Sequence, residues 1–103
     1  MPPVELFKAL GDPTRLEMIT RLSSGGSYTI TTLSSGLKLS RQGARKHLQI
    51  LADSKIIMMR TRGRNTIVEL DRQTLDIGKN FIAKLTLGWE KRLEALKIFV
   101  DKK

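Results

Sequence analysis

The sequence predicts a mainly α-helical domain with a small β-hairpin and a long C-terminal helix. Three observations predict it. Apolar stripes of helical spacing, each behind a capping residue or a turn, recur from Val4 to about Asp53. Two runs rich in β-branched and apolar residues, Ile56 to Arg62 and Thr66 to Leu70, flank Gly63-Arg64-Asn65. From about Thr74 to Val100 apolar residues again recur at helical spacing.

Val4, Leu6, Phe7 and Leu10 form the stripe of a short first helix, ended by Gly11. Asp12 is placed to N-cap the second helix, with Pro13 at the first position, where a missing N–H does no harm. Leu16, Ile19 and Leu22 are its expected buried stripe. Ser23-Ser24-Gly25-Gly26-Ser27 reads as a plain loop. It lacks the Lys-Ser or Lys-Thr that follows a phosphate-binding loop, and no strand precedes it. Tyr28-Thr29-Ile30 is a short extended segment. Thr31 or Thr32 is expected to cap a third helix through Leu37, with Leu33 and Leu37 inward. Lys38-Leu39 is the turn, and Ser40 caps a fourth helix from Arg41 to about Asp53.

In that fourth helix Ala44, Leu48 and Leu51 share one face, which turns Arg41, Gln42, Arg45, Lys46 and Gln49 outward. A short helix, a turn and a capped helix make a helix-turn-helix. The hairpin behind it completes the outline of a winged helix-turn-helix. Its helix is sized for a DNA major groove, and its hairpin for the flanking backbone or minor groove.

The last helix carries Leu75, Phe81, Ile82, Leu85, Trp89, Leu93, Leu96 and Val100. Gly78 and Gly88 weaken it by roughly 1 kcal/mol each against Ala, and Gly88 is a candidate kink. About 27 helical residues reach ~40 Å, more than so small a domain covers. The uncovered stripe calls for a second chain, so a homodimer is expected. Residues 1–74 then form the DNA-binding unit and 75–103 the dimerisation segment, packed as one compact body.

Charge agrees with this reading. Nineteen Lys and Arg face ten Asp and Glu, for a net charge of +9. Residues 41–72 alone hold eight positive and three negative side chains. The excess peaks in the reading helix and wing, as a polyanion partner requires. Cysteine is absent, which excludes disulfides and thiolate metal sites. No apolar run approaches the ~18 residues of a membrane span. The N-terminus lacks the basic start and apolar stretch of a signal peptide, so the cytoplasm is expected.

Arg41, Gln42 and Arg45 are the expected base contacts, because Arg fits guanine O6/N7 and Gln fits adenine N6/N7. Ser40, Lys46 and Gln49 are expected at the DNA backbone, and Arg62 and Arg64 at the wing. Gly43 either allows close backbone approach to DNA or simply costs helix stability. The single histidine, His47, sits at the edge of the core stripe and reads as packed or phosphate-facing. Phe81 and Trp89 read as packing rather than ligand stacking. No catalytic constellation is visible, so no enzyme and no cofactor are implied. Other uses of the same outline stay open: a protein–protein interaction module, or a non-specific architectural nucleic-acid binder.

Phe7-Lys8-Ala9-Leu10-Gly11-Asp12-Pro13-Thr14-Arg15-Leu16, Leu39-Ser40 through His47-Leu48 to Leu51, and the Gly63-Arg64 wing resemble the ArsR-type winged-helix transcriptional regulators. The likeness covers nearly the whole chain. It implies a homodimer on a near-palindromic operator, usually repressing transcription. It also implies that the first and last helices make the dimer interface, through Val4, Leu6, Phe7, Phe81, Leu85, Trp89, Leu93 and Leu96. Many such regulators release DNA on binding metal. This chain departs there: residues 31–37 hold no Cys or His, and the last helix has Asp76, Glu90, Glu94 and Asp101 but no His. It resembles a branch without the metal-sensing cysteines, and no metal or small-molecule inducer is evident.

Overall fold

A computed structural model of the chain describes residues 3–101, with side chains through Ile98; Met1, Pro2, Lys102, Lys103 and the side chains of Phe99, Val100 and Asp101 lie outside the described residues. The elements run α1 (Val4–Leu10), α2 (Pro13–Ser23), β1 (Tyr28–Thr29), α3 (Ile30–Ser34), α4 (Arg41–Asp53), β2 (Ile57–Arg62), β3 (Asn65–Leu70) and α5 (Arg72–Asp101).

Asp12 caps α2 as its position predicts: its carboxylate accepts from the Arg15 N–H at 3.0 Å, with Pro13 at the first helical position. The buried face is Met18, Ile19 and Leu22, while Leu16 is 48% exposed. Ile19 and Leu22 are buried as expected, and Met18 takes the place expected of Leu16. Leu16 projects about a third of a turn from the centre of the buried arc, at 3.6 residues per turn.

The cap of α3 lies earlier than expected. Thr29 Oγ1 accepts from the Thr32 N–H at 3.1 Å, and Thr32 Oγ1 accepts from the Thr29 N–H at 3.0 Å. This reciprocal capping box starts the helix at Ile30, and Ser34 ends it, leaving Leu37 beyond it. Arg21 Nη1 donates to the carbonyls of Leu33 and Ser35, at 2.9 and 2.6 Å, satisfying groups that the end of a helix leaves orphaned. The link to α4 turns at Gly36 (φ 79°) and Lys38 (φ 54°), the latter a left-handed conformation uncommon outside glycine.

The expected hairpin gains a third strand. The antiparallel order is β1-β3-β2, with Tyr28 opposite Val68 and Arg62 opposite Asn65. Gly63 and Arg64 are therefore the whole loop, and Asn65 belongs to β3. Gly63 has φ 62°. Positive φ at the first loop position is the pattern of a type II′ hairpin turn.

Leu6, Ala9, Met18, Leu22, Leu33, Leu48, Leu51, Ile56 and Val68 meet in one core between the helices and the sheet. α5 begins at an Asp71 cap, whose carboxylate accepts from the Gln73 N–H at 3.0 Å. It then runs 30 residues, about 45 Å, unbroken through Gly78 and Gly88. Gly88, the candidate kink, does not interrupt it. Gly78 has a packing reason: a Cβ there would lie 2.7 Å from Leu6 Cδ2. Beside it Phe7 stacks obliquely on Phe81, ring centroids 5.8 Å apart. The two contacts fix α1 on α5. No described helix is long and apolar enough to cross a membrane.

Candidate nucleic-acid interface

The Ser40 side chain accepts from the Gly43 N–H at 3.0 Å, and its carbonyl accepts from the Ala44 N–H at 2.9 Å. One residue thus closes the first turn of α4 on both sides. A Cβ on Gly43 would lie 3.1 Å from Ser40 Oγ. Glycine here keeps the cap uncrowded, a reason the sequence alone did not separate from the two considered.

Beyond the cap, Ala44, Leu48 and Leu51 are buried, while Arg41, Gln42, Arg45, Lys46 and Gln49 are exposed. The core therefore holds α4 by one face and presents the other. Arg41 and Arg45 share a cleft with Arg64 of the wing, and no carboxylate lines it. Three arginines from two elements thus line one concave surface.

Gln49 and Arg62, also expected at the DNA, do not line this cleft. Gln49 donates its amide to Asp53 at 2.8 Å, so its donor is engaged along its own helix, beside a carboxylate. Arg62 does not line the cleft. It lies one residue beyond Thr61, and alternation along β2 sends the two to opposite faces of the wing. Arg60, on the Arg62 side, pairs with Glu69 at 2.8 Å.

α4 is also held from behind, by an arrangement that sequence spacing did not reveal. Arg15 Nε donates to the Ala9 carbonyl at 2.6 Å, and Arg15 Nη1 lies 3.2 Å from His47 Nδ1. Asp12 Oδ2 lies 3.9 Å from the same His47 nitrogen. The Asp12-Pro13-Thr14-Arg15 segment thereby joins the end of α1, the start of α2 and the back of α4. Its signal was in the sequence, as an Asp cap followed three residues later by Arg, but the partner on α4 lies 32 residues from Arg15.

The Asp12 carboxyl is held below its ordinary value by the hydrogen bond from the Arg15 N–H, with the Arg15 and His47 side chains adding to the effect against partial burial. A depressed carboxyl stabilises the fold above its unfolded pKa, near 3.9, and that stability is lost as pH falls through the folded value. Thermal melts from pH 6 to 2.5 are expected to fall more steeply below about pH 4 for the wild type than for Asp12→Asn, since Asn caps as well without titrating. Parallel curves would show that Asp12 adds nothing at acid pH.

The residues expected at a dimer interface divide in two. Val4, Leu85, Trp89, Leu93 and Leu96 are exposed, together with Ile77 and Ile82. Phe7 and Phe81 are half-buried against each other. Leu6, expected at the dimer interface, is only 5% exposed and belongs to the core of its own protomer, where Gly78 admits it. Among the described residues no group of three or more His, Asp or Glu side chains is gathered to hold a metal ion.

Three helices around a small sheet, an outward basic helix and a two-residue wing define a winged helix-turn-helix. A helix-turn-helix family model matches residues 10–60. The arsenical resistance operon repressor of Escherichia coli is 34% identical over 62 residues, covering 60% of this chain and 53% of that protein. The chain thus spans about half the length of that relative. A helix-turn-helix-type transcriptional regulator of Bacillus subtilis is 29% identical over 82% of this chain and 90% of that one. The solved structure of an ArsR-like transcriptional regulator from a Rhodococcus species superposes with a TM-score of 0.77 at 27% identity, covering 93% of this chain and 90% of the other. In sequence and fold the chain is similar to the ArsR-type winged helix-turn-helix transcriptional regulators. The proteins it resembles are regulators, not enzymes.

Proposed function

We propose that the chain is a homodimeric repressor that binds a near-palindromic operator in double-stranded DNA. The observation that carries this is the carboxylate-free cleft where Arg41 and Arg45 of α4 face Arg64 of the wing. Arg41, Gln42 and Arg45 read base edges in the major groove. Ser40, Lys46 and Gln49 touch the backbone, and Arg62 and Arg64 the flanking minor groove. Residues 1–74 do the binding and 75–103 the dimerising, with Val4, Phe7, Phe81, Leu85, Trp89, Leu93 and Leu96 facing the partner. The E. coli relative is named for repression of an operon, which favours repression over activation. In such a dimer the two copies of α4 lie near ~34 Å apart, one turn of DNA.

Fluorescence anisotropy against DNA from upstream of the gene and against a scrambled duplex, at several salt concentrations, tests the reading. About 10³-fold or tighter binding to the upstream duplex, with a steep salt slope, supports it. Equal affinity for both duplexes leaves an architectural binder; no affinity for either leaves a protein-contact module.

Two neighbouring residues separate reading from positioning. Arg45→Ala is expected to relax the preference at one base position, at about 1–3 kcal/mol, while Lys46→Ala weakens every sequence alike and lowers the salt slope by about one. A competition assay over single-base operator variants measures both. Identical uniform losses from the two would remove Arg45 from the readers.

A further inference from the structure

A continuous cleft separates α4 from the wing. One part, about 280 Å³, opens between the start of α4 and the wing tip. The other, about 160 Å³, runs between the middle of α4 and β2. Ile30, Arg45 and Thr66 line both parts, and no carboxylate lines either. Thr66 pairs across the strands with Thr61. The next residues on their side of the sheet are Val68, which is buried, and Met59, packed against the core. Alternation therefore points both threonines toward α4. The hydroxyls of Thr29, Ser34 and Ser40, which line the cleft, are engaged within the protein. Those of Thr31, Thr61 and Thr66, which also line the cleft, hold no hydrogen-bond partner among the described residues.

A protein with a helix in the major groove and a wing on the adjacent minor groove straddles the sugar–phosphate strand between those grooves. We propose that the cleft seats that strand, and that Thr66, with Thr61 and Thr31 beside it, donates hydroxyls to its phosphate oxygens. This rests on the DNA-binding reading above and adds contacts that set the height of the wing on the duplex. A phosphate oxygen accepts hydrogen bonds and is repelled by carboxylates, so a cleft lined by hydroxyls and guanidinium groups matches it. The apolar floor of Ile30 and Met59 faces the sugar. Such contacts position the duplex and carry no sequence information.

The test compares wild type, Thr66→Val and Thr66→Ser on the upstream duplex and on an unrelated duplex of the same length. Valine keeps the branched shape and strand preference and removes only the hydroxyl. Thr66→Val is expected to bind both duplexes about tenfold more weakly, with the salt slope unchanged because no charge is lost. Thr66→Ser restores the affinity. Phosphate-ethylation interference supplies a readout that a merely structural threonine would not move: the valine variant loses interference at one phosphate per half-site. Affinity within about twofold of wild type, an unchanged ethylation pattern, or a loss confined to one duplex each overturns the proposal while leaving DNA binding intact. A wild type that binds neither duplex overturns the DNA reading itself, and this proposal with it.

Discussion

A Leu85→Glu/Leu93→Glu double variant is expected to sediment as a monomer and to bind operator DNA about 10²–10⁴-fold more weakly than wild type. The argument begins with what α5 leaves uncovered. Leu85, Trp89, Leu93 and Leu96 lie on one side of the helix, and each is roughly half exposed or more. A continuous apolar stripe of this kind on a small basic protein needs a partner surface. Two glutamates on that stripe would have to be buried unpaired in a dimer, which costs more than the apolar contact contributes. The protomer itself is spared, because neither leucine belongs to its core. A dimer holds two reading helices in register, so binding of the second half-site is intramolecular, and that advantage is typically the quoted factor. Trp89, the single tryptophan, is 60% exposed in the protomer and reports the same event. Its emission should lie further to the red in the variant than in the wild type. A variant that remains dimeric would remove α5 from the interface, and a monomer that keeps full operator affinity would show that binding does not depend on the dimer.

Local chemistry was the legible part of this chain. Asp12 with Pro13, and Ser40 ahead of a stripe at Ala44, Leu48 and Leu51, set helix starts and faces that the structure reproduces. Those signals act within one or two turns, where sequence spacing is spatial spacing. What spacing could not supply was long-range. Leu6 and Leu16 look alike on their helical stripes, yet Leu6 is core and Leu16 is surface, because a glycine 72 positions later, at Gly78, opens a seat for Leu6 alone. The third strand was hidden for the same reason. Tyr28 and Thr29 are too few to show alternation, and only pairing with Ile67 and Val68 makes them a strand. Thr29 then serves as strand end and helix cap together, which displaced the expected cap. At the candidate site, the exposure of Gln42, Lys46 and Gln49 followed from the phase of α4, whereas Arg41, seven residues before Leu48 and on its side of the helix, is exposed because it opens the helix. The opposite placements of Arg62 and Arg64 followed from a hairpin register fixed by the Gly63 turn. The three-residue loop read from the sequence did not specify that register.

Leu48→Ala is expected to cost about 2–5 kcal/mol and to lower the melting temperature by about 10–30 °C, against a total stability of about 5–15 kcal/mol for a domain of this size. Leu48 is fully buried, among Met18, Leu22, Leu33, Leu51, Ile56 and Val68 as the other large side chains sealed from solvent. Its removal leaves a void that a small core, walled by four helices and a sheet, cannot close. Leu48→Met, which keeps the volume, should cost less than about 1.5 kcal/mol. Melts must be compared at one protomer concentration, since dimerisation adds to apparent stability. The same variant also tests whether the two faces of α4 are separable. Arg41, Gln42 and Arg45 are exposed whereas Leu48 is sealed in the core, so well below its melting point the variant should keep the wild-type salt slope and base preference. Operator binding should then vanish in step with unfolding as temperature rises. If folded Leu48→Ala instead loses sequence preference in the cold, the packing behind α4 sets its reading geometry. In that case the Asp12–Arg15–His47 contacts on the same buried side become part of recognition rather than of stability alone.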